Sequence, residues 1–282
     1  MKLLRYGPPG QEKPGLLDSA GTIRDLSGVV DDIAGDVITS AGLARIAGVD
    51  PASLPAVEGT PRIGPCVGRV GKFICIGLNF SDHAAETGAE PPDQPIIFAK
   101  STSAICGPYD DTIIPKGSEK TDWEVELGVI IGDEARYVSE ADAMNHVAGF
   151  CVVNDISERA FQIEHGGQWT KGKSADTFGP IGPWLVTRDE ITCPQNLKMW
   201  LEVDGHRYQN GSTETMIFGV PHLVSYLSQY MSLQPGDVIS TGTPPGVGLG
   251  QKPPVYLKPG QTVRLGIENL GEQEQRTVAY SG

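Results

Sequence analysis

The sequence predicts a β-rich α+β fold, and three observations predict it. First, 36 glycines and 22 prolines in 282 residues cut the chain into short segments, which suits many strands joined by turns better than long helices. Second, runs such as Phe73–Leu78, Val125–Ile131 and Phe150–Val153 are apolar and rich in β-branched residues. Third, these runs are not regularly interleaved with long helical patterns, so a parallel α/β sheet is not expected.

In chain order, Met1–Tyr6, Gly15–Leu17 and Ile23–Asp25 read as an opening set of strands. Thr39–Ala47 reads as a short helix with Thr39 or Ser40 as its cap. The proline-rich stretch Pro51–Pro65 reads as a linker. It divides a small N-terminal unit, residues 1–65, from a main unit, residues 66–282. The main unit opens with the apolar strand Phe73–Leu78, and Asn79–Glu86 then begins a helix-like segment with Ser81 or Asp82 as candidate N-cap. Further strands are expected at Ile96–Ala99, Val125–Ile131, Ala148–Asp155, Gly182–Thr187, Leu197–Val203, Asp237–Thr241 and Thr262–Ile267. Helices are expected at Glu140–Asn145 and at Pro221–Tyr230, where Leu223, Val224 and Leu227 fall at helical spacing.

A formal charge of −13 argues against nucleic acid or an anionic membrane as partner, since both need basic surface; its plainest meaning is solubility. No apolar run approaches the roughly 18–20 residues of a membrane span, and the N-terminal segment lacks the apolar core of a signal peptide. The five cysteines (Cys66, Cys75, Cys106, Cys151, Cys193) show no CxxC spacing and read as reduced residues of a cytoplasmic protein.

The chemistry-bearing pattern begins at Lys120–Gly132. Glu124 and Glu126 lie two apart in a strand-like run, and positions i and i+2 of a strand share a face. Two anions roughly 4–5 Å apart repel by a few kcal/mol at an effective dielectric near 20. A hard divalent cation is the economical counter-charge. Asp155 closes an apolar strand and is a natural third oxygen ligand, although an Asp at such a junction is commonly only a helix cap. Three carboxylates fit magnesium or manganese. His83 and Glu86, three apart on a helix-like segment, share a face, so Glu86 can orient His83 as a general base; an exposed His beside an acidic helix is the plain alternative. Gln168–Pro183 carries Lys171 and Lys173, which either bind a substrate carboxylate or are merely solvated. The Gly-rich turn Ser240–Gly250 lacks the Gly-Lys-Ser/Thr ending of a P-loop.

Taken in register, these segments resemble the fumarylacetoacetate hydrolase family. The residues that carry the resemblance are Gly77-Leu-Asn-Phe-Ser-Asp-His-Ala-Ala-Glu86, Asp122-Trp-Glu-Val-Glu-Leu-Gly128, Asn154-Asp-Ile-Ser-Glu-Arg159, Lys171-Gly-Lys173 and Thr241-Gly-Thr-Pro-Pro-Gly-Val-Gly248. The resemblance spans about Lys72 to the C-terminus. It implies a mixed β-sandwich or β-roll, commonly a homodimer. It also implies that Glu124, Glu126 and Asp155 hold magnesium or manganese, and that His83 and Glu86 are a catalytic dyad on a short lid helix. Arg159, Gln162 and Lys173 match further active-site positions, Thr243 matches a contact to the substrate carboxylate, and Lys100 is a further match on the substrate side.

The reaction such a site implies is hydrolysis of a carbon–carbon bond in a 2,4-diketo acid, giving pyruvate and a second carboxylic acid. The metal would stabilise the departing enolate, His83 with Glu86 would deprotonate water, and Lys173, Gln162 and Thr243 would hold substrate and developing charge. The opening Lys2-Leu-Leu-Arg-Tyr-Gly and the length resemble family members acting on 2,4-diketo-3-deoxy sugar acids, such as those of rhamnose or fucose breakdown. Ureidoglycolate lyase and the isomerase/decarboxylase of the homoprotocatechuate pathway share the same metal-enolate chemistry. A metal- or carboxylate-binding protein without turnover is a reading from another class, against which the His83–Glu86 pair stands.

Overall fold

The computed structural model describes residues 1–88 and 90–281. The chain opens with the strands β1 (Lys2–Tyr6), β2 (Lys13–Leu17) and β3 (Ile23–Asp25), followed by helix α1 (Ser40–Ala47). Strand β4 (Phe73–Gly77) leads into helix α2 (Ser81–Thr87) and strand β5 (Ile96–Lys100). Short strands β6 (Ile105–Cys106), β7 (Thr112–Ile114) and β8 (Thr121–Asp122) precede β9 (Val125–Ile131), β10 (Val147–Asn154) and β11 (Ser157–Glu158). Helix α3 (Thr170–Lys173), β12 (Gly179–Thr187), β13 (Lys198–Val203), β14 (His206–Ser212) and α4 (Val220–Ser228) come next. The chain closes with β15 (Val238–Ser240), β16 (Thr262–Ile267) and β17 (Gly271–Ala279).

Ten strands form one sheet in the order β3-β2-β1-β12-β10-β9-β15-β4-β5, with β6 alongside β12; a second sheet runs β14-β13-β16-β17-β7. Neighbours are antiparallel except β15–β4, β12–β6 and β17–β7, so the fold is β-rich α+β with mixed sheets, as expected.

Strand alternation decides what each face does. In β9, Val125, Leu127, Val129 and Ile131 join Phe150, Val152, Met199, Leu201, Val263 and Leu265 in the core shared by the two sheets. Ile130 turns the other way, with Cys151 and Val153 of β10, into a second core filled by Leu3, Leu26, Ile33 and Ile38 of the N-terminal segment. Gly128 lies on the Ile130 face, where a Cβ would meet Cys151 Sγ at 2.6 Å.

Several local expectations change. Pro51–Pro65 is not a loose linker: Val57 N–H donates to Ile23 O, Gly64 N–H to Arg5 O, and Arg62 O accepts from Gly7 N–H, which pins the stretch along β1 and β3. Thr39 is indeed the cap of α1, accepting from Gly42 N–H at 3.2 Å. Neither Ser81 nor Asp82 caps α2. Phe80 holds the cap position because it is anchored by a bridge to Met216, and Asp82 instead accepts from Thr215 Oγ1 at 3.1 Å. The expected helix at Glu140–Asn145 is a single 3₁₀ turn, Ala143–His146, with no side-chain cap. Strand β17 escaped the sequence reading because its buried positions are Gln273, Gln275 and Thr277. Their amides and hydroxyl are satisfied internally: Gln273 Nε2 donates to Val152 O at 2.8 Å and Gln275 Nε2 to Pro108 O at 2.6 Å.

Candidate active site

Strands β8 and β9 face β11 and β10 in one continuous antiparallel register, with Asp122 opposite Ser157 and Glu126 opposite Val153. Between these pairs Asp155 stands across from Glu124, and its N–H donates to the Glu124 carbonyl at 2.9 Å. Because Val125 and Leu127 point into the inter-sheet core, Glu124 and Glu126 point to the opposite side. Asp155 continues the Cys151–Val153 face of β10 to the same spot. The three carboxylates are buried, and each offers an oxygen within 4.8 Å of the others.

Cations answer part of this charge. Lys173 Nζ donates to Glu124 Oε2 at 2.5 Å and to Asp155 Oδ2 at 2.6 Å. Arg159 Nη2 donates to Glu124 Oε1 at 2.7 Å. Burial disfavours charge on Glu124, but Arg159 and Lys173 outweigh it and hold this carboxyl far below the usual carboxylate range. Among the described residues Glu126 makes no ion pair. It accepts only from Ser240 Oγ at 2.6 Å and Gly242 N–H at 2.9 Å. Burial, then the charges of Asp155 and Glu124, push Glu126 well above the usual range. A buried, all-oxygen donor set with one uncompensated carboxyl fits a hard divalent ion, with Glu124, Glu126 and Asp155 as the holding residues.

Across the cavity, His83 Nδ1 meets Glu86 Oε2 at 3.1 Å. Glu86 is held in turn by Gly246 N–H at 3.0 Å, so the Gly-rich turn clamps the far end of α2. Leu78, at φ 50°, makes the sharp turn from β4 towards α2 that brings His83 over the sheet end. Asn79 fixes that turn, donating to Thr241 O at 2.8 Å and Phe218 O at 3.0 Å.

Arg159 is the hub of the third group. It donates to Asp122 Oδ2 at 2.8 Å through Nε and to Gln162 Oε1 at 3.0 Å through Nη1. The same Asp122 carboxylate accepts from Gly248 N–H at 2.6 Å and Leu249 N–H at 2.9 Å, tying the Gly-rich turn to the acidic strand. Lys173 Nζ lies 5.1 Å from the Phe98 ring centroid, and Phe98 packs edge-on against Trp169 at 5.3 Å.

His83, Glu124, Glu126, Arg159, Gln162, Lys173 and Thr243 all line one cavity of about 250 Å³. Its remaining wall includes Leu78, Phe98, Ile163, Trp169, Val247 and Leu249. A larger, more open cleft of about 780 Å³ between Ile114–Lys120 and Tyr256–Pro259 contains none of these groups. Two expected substrate contacts change character. Lys100 is buried behind Asp155, donating to Asp155 Oδ1 and to Ile156 O at 2.9 Å, so its ammonium positions that carboxylate and does not reach the cavity wall. Thr243 lines the cavity, but its hydroxyl donates to Val125 O at 2.9 Å and accepts from Gln209 Nε2 at 2.8 Å. It therefore meets a ligand with its methyl and main chain, without a spare hydroxyl proton.

A family model described as fumarylacetoacetate (FAA) hydrolase C-terminal matches residues 72–278. The chain belongs to the fumarylacetoacetate hydrolase family. It is accordingly an enzyme of hydrolase type. A relative from Burkholderia orbicola (strain MC0-3), provisionally named a hydrolase, is 70% identical over 278 residues, 98% of this chain and 99% of the relative. The fumarylacetoacetate hydrolase of the psychrophile Exiguobacterium antarcticum superposes with a TM-score of 0.90 at 33% identity, over 99% of this chain and 100% of that one. Maleylpyruvate hydrolase from Sphingobium sp. SYK-6, in complex with manganese(II) ion and pyruvate, superposes with a TM-score of 0.81 at 26% identity over 100% of both chains.

All the candidate site residues of this fumarylacetoacetate hydrolase family member fall inside the matched segment. Sequence reasoning missed three supports of the site. Asp122 extends the alternation of Glu124 and Glu126 by one more step, a signal present in Asp-x-Glu-x-Glu. Ser240 opens the Gly-rich turn, and no motif singles out its hydroxyl as the partner of Glu126. Trp169 lies four residues before Lys173, a spacing that gives it no structural role, yet it presses so closely on β4 that a Cβ at Gly77 would sit 2.4 Å from its ring.

Proposed function

We propose that this enzyme hydrolyses the C3–C4 bond of a 2,4-diketo acid, releasing pyruvate and a second carboxylic acid. One observation carries the reading: His83, paired with Glu86, and two members of the three-carboxylate cluster, Glu124 and Glu126, line the same small cavity. Simple anion or metal binding needs no general base, whereas hydrolysis needs one for water.

With Glu86 accepting the Nδ1 proton, Nε2 is the basic nitrogen of that tautomer and takes a proton from water. The resulting hydroxide adds to C4, and the C3–C4 electron pair leaves to the C3–C2–oxygen unit as an enolate. The hydroxyl stays on C4 as the new carboxylic acid, and the proton that His83 took from water passes to C3 to complete pyruvate. A divalent ion held by Glu124, Glu126 and Asp155 would supply positive charge beside the substrate carboxylate and 2-oxo oxygen. Lys173 keeps its proton well above the usual lysine range, because Asp155 and Glu124 overcome the effect of burial, and so serves as a standing donor to an anionic oxygen. Arg159, braced by Asp122, orients the Gln162 amide toward the same space. The relative crystallised with manganese(II) and pyruvate supports both the metal and the pyruvyl half.

Within this class the sugar-acid expectation narrows to the derivatives of 6-deoxy sugars such as rhamnose and fucose, whose distal half ends in a methyl group. The small, largely apolar remaining wall supports that choice. The decarboxylase alternative would leave the His83–Glu86 pair without a task, whereas the isomerase and ureidoglycolate lyase alternatives would use it to move a substrate proton and not to activate water. The test is pyruvate release from 2,4-diketo acids with magnesium or manganese, compared with consumption of oxaloacetate and ureidoglycolate. Pyruvate plus a second acid from a diketo acid supports the proposal; activity confined to the other two substrates would overturn it.

A further inference from the structure

We infer that the part of the cavity beyond the pyruvyl site accepts an uncharged, short acyl group with at most one hydroxyl, and that Ile163 and Leu249 set this preference. The inference rests on the hydrolase reading above.

The first argument is the position of the positive charges. Among the described residues of the wall, the basic side chains besides His83 are Arg159 and Lys173. Both are drawn to the acidic end, Arg159 by Asp122 and Glu124, Lys173 by Glu124 and Asp155. A second carboxylate at the far end of a substrate would lie against Leu78, Ile163, Val247 and Leu249 with no cation of its own. A charge removed from water without a partner is strongly disfavoured.

The second argument is hydrogen-bond capacity. Gln162 uses its Oε1 on Arg159, which leaves its amide N–H groups as donors for one substrate oxygen. The Thr243 hydroxyl proton is committed to Val125 O. A chain carrying several hydroxyls would bury most of them against aliphatic and aromatic carbon, each a loss of roughly one hydrogen bond's worth of affinity.

The third argument is size and stiffness. At about 250 Å³ the cavity is smaller than the roughly 300–1,000 Å³ typical of ligand sites. Trp169 cannot swing aside easily, since it is wedged against Gly77 on one side and the Phe98 ring on the other. Ile163, 52% exposed, stands at the mouth, where a change of side chain tests charge without opening the core.

The experiment measures pyruvate release by the magnesium-loaded enzyme. The substrates are 2,4-dioxopentanoate, 2,4-dioxoheptanoate, 5-hydroxy-2,4-dioxohexanoate, the 5,6-dihydroxy analogue of the last, and 2,4-dioxoheptanedioate. The first three are expected to exceed the dioate in kcat/KM by about a hundredfold, the scale on which an unmatched polar group is rejected. The dihydroxy compound should fall at least tenfold below 5-hydroxy-2,4-dioxohexanoate. Ile163→Arg and Leu249→Arg should each raise the ratio of dioate to dioxoheptanoate kcat/KM by tenfold or more. A wild-type enzyme that prefers the dioate or the dihydroxy acid overturns this inference while leaving the hydrolase reading intact, as does an unchanged ratio in both variants. Pyruvate release from none of the five would remove the hydrolase reading and this inference together.

Discussion

Asp155 stands directly across the strand ladder from Glu124, its N–H bonded to the Glu124 carbonyl at 2.9 Å, while their side chains share the ammonium of Lys173. Backbone register and charge balance thus fix the same point. Because Lys173 serves both carboxylates in a buried setting, Lys173→Met should destabilise the metal-free enzyme by about 1.5–3 kcal/mol, the scale of a lost hydrogen bond to a charged group, since Arg159 still pairs with Glu124 and Lys100 with Asp155. Added magnesium or manganese should recover much of the loss, since the ion would replace the missing positive charge. Urea titrations with and without metal read this; equal losses in both would reject it.

Glu126 gives a different outcome. It is the carboxyl that burial and its neighbours Asp155 and Glu124 keep protonated well above the usual range. Ionising it in the metal-free protein is therefore unfavourable, and Glu126→Gln should leave metal-free stability unchanged or raise it by up to about 1 kcal/mol. The same variant should lose the metal-induced rise in melting temperature. A full metal response in Glu126→Gln would show that the ion sits elsewhere.

The raised Glu126 also fixes a pH dependence. A carboxyl whose folded pKa lies above its unfolded value favours the folded state while protonated and loses that contribution as pH rises through the raised pKa. An ion needs the ionised form, so it must displace the proton. Metal affinity should fall as pH is lowered below that point, with close to one proton released per ion bound. Calorimetry in buffers of different ionisation enthalpy counts the proton; a count of zero near neutral pH would contradict the assignment.

His83→Ala should lower kcat by about 10²–10⁴-fold, the range for a lost general base, with little effect on melting temperature. Glu86→Gln should give a smaller loss, because Gly246 N–H can still hold the side chain while the amide no longer enforces the His83 tautomer. Wild-type turnover in His83→Ala would remove the base from this position.

Asp122→Asn tests positioning at a distance. Asp122 touches no cavity space but accepts from Arg159, Gly248 and Leu249. The substitution should lower kcat/KM by about tenfold or more through Arg159 and the Gly-rich turn, yet preserve metal binding by calorimetry. Equal loss of metal affinity would indicate a role in the cluster itself.

Much of this site is written in residue types. Glu124 and Glu126 share a face because strand geometry has a period of two, and His83 and Glu86 share one because a helical turn brings i and i+3 together. Lys100 and Thr243 show the limit of that legibility. Their identities suggest substrate contacts, but their polar atoms are already engaged by Asp155, Ile156 and Val125, partners 55, 56 and 118 residues away in sequence. Strand β17 was invisible for a related reason: its inward glutamines are acceptable only because carbonyls of β10, β12 and the Pro108 turn receive their amide protons.

By itself the sequence determined the β-rich class, the acidic cluster and its partner dyad, because these depend on local periodicity and on side-chain chemistry. Only the tertiary structure decided which charges are paired, which carboxyl is left without a cation, and which apolar groups close the cavity. Those depend on the β9–β10 register, on Lys173 and Arg159 reaching in from the segment after β11, and on burial, which turns modest Coulomb differences into distinct protonation states.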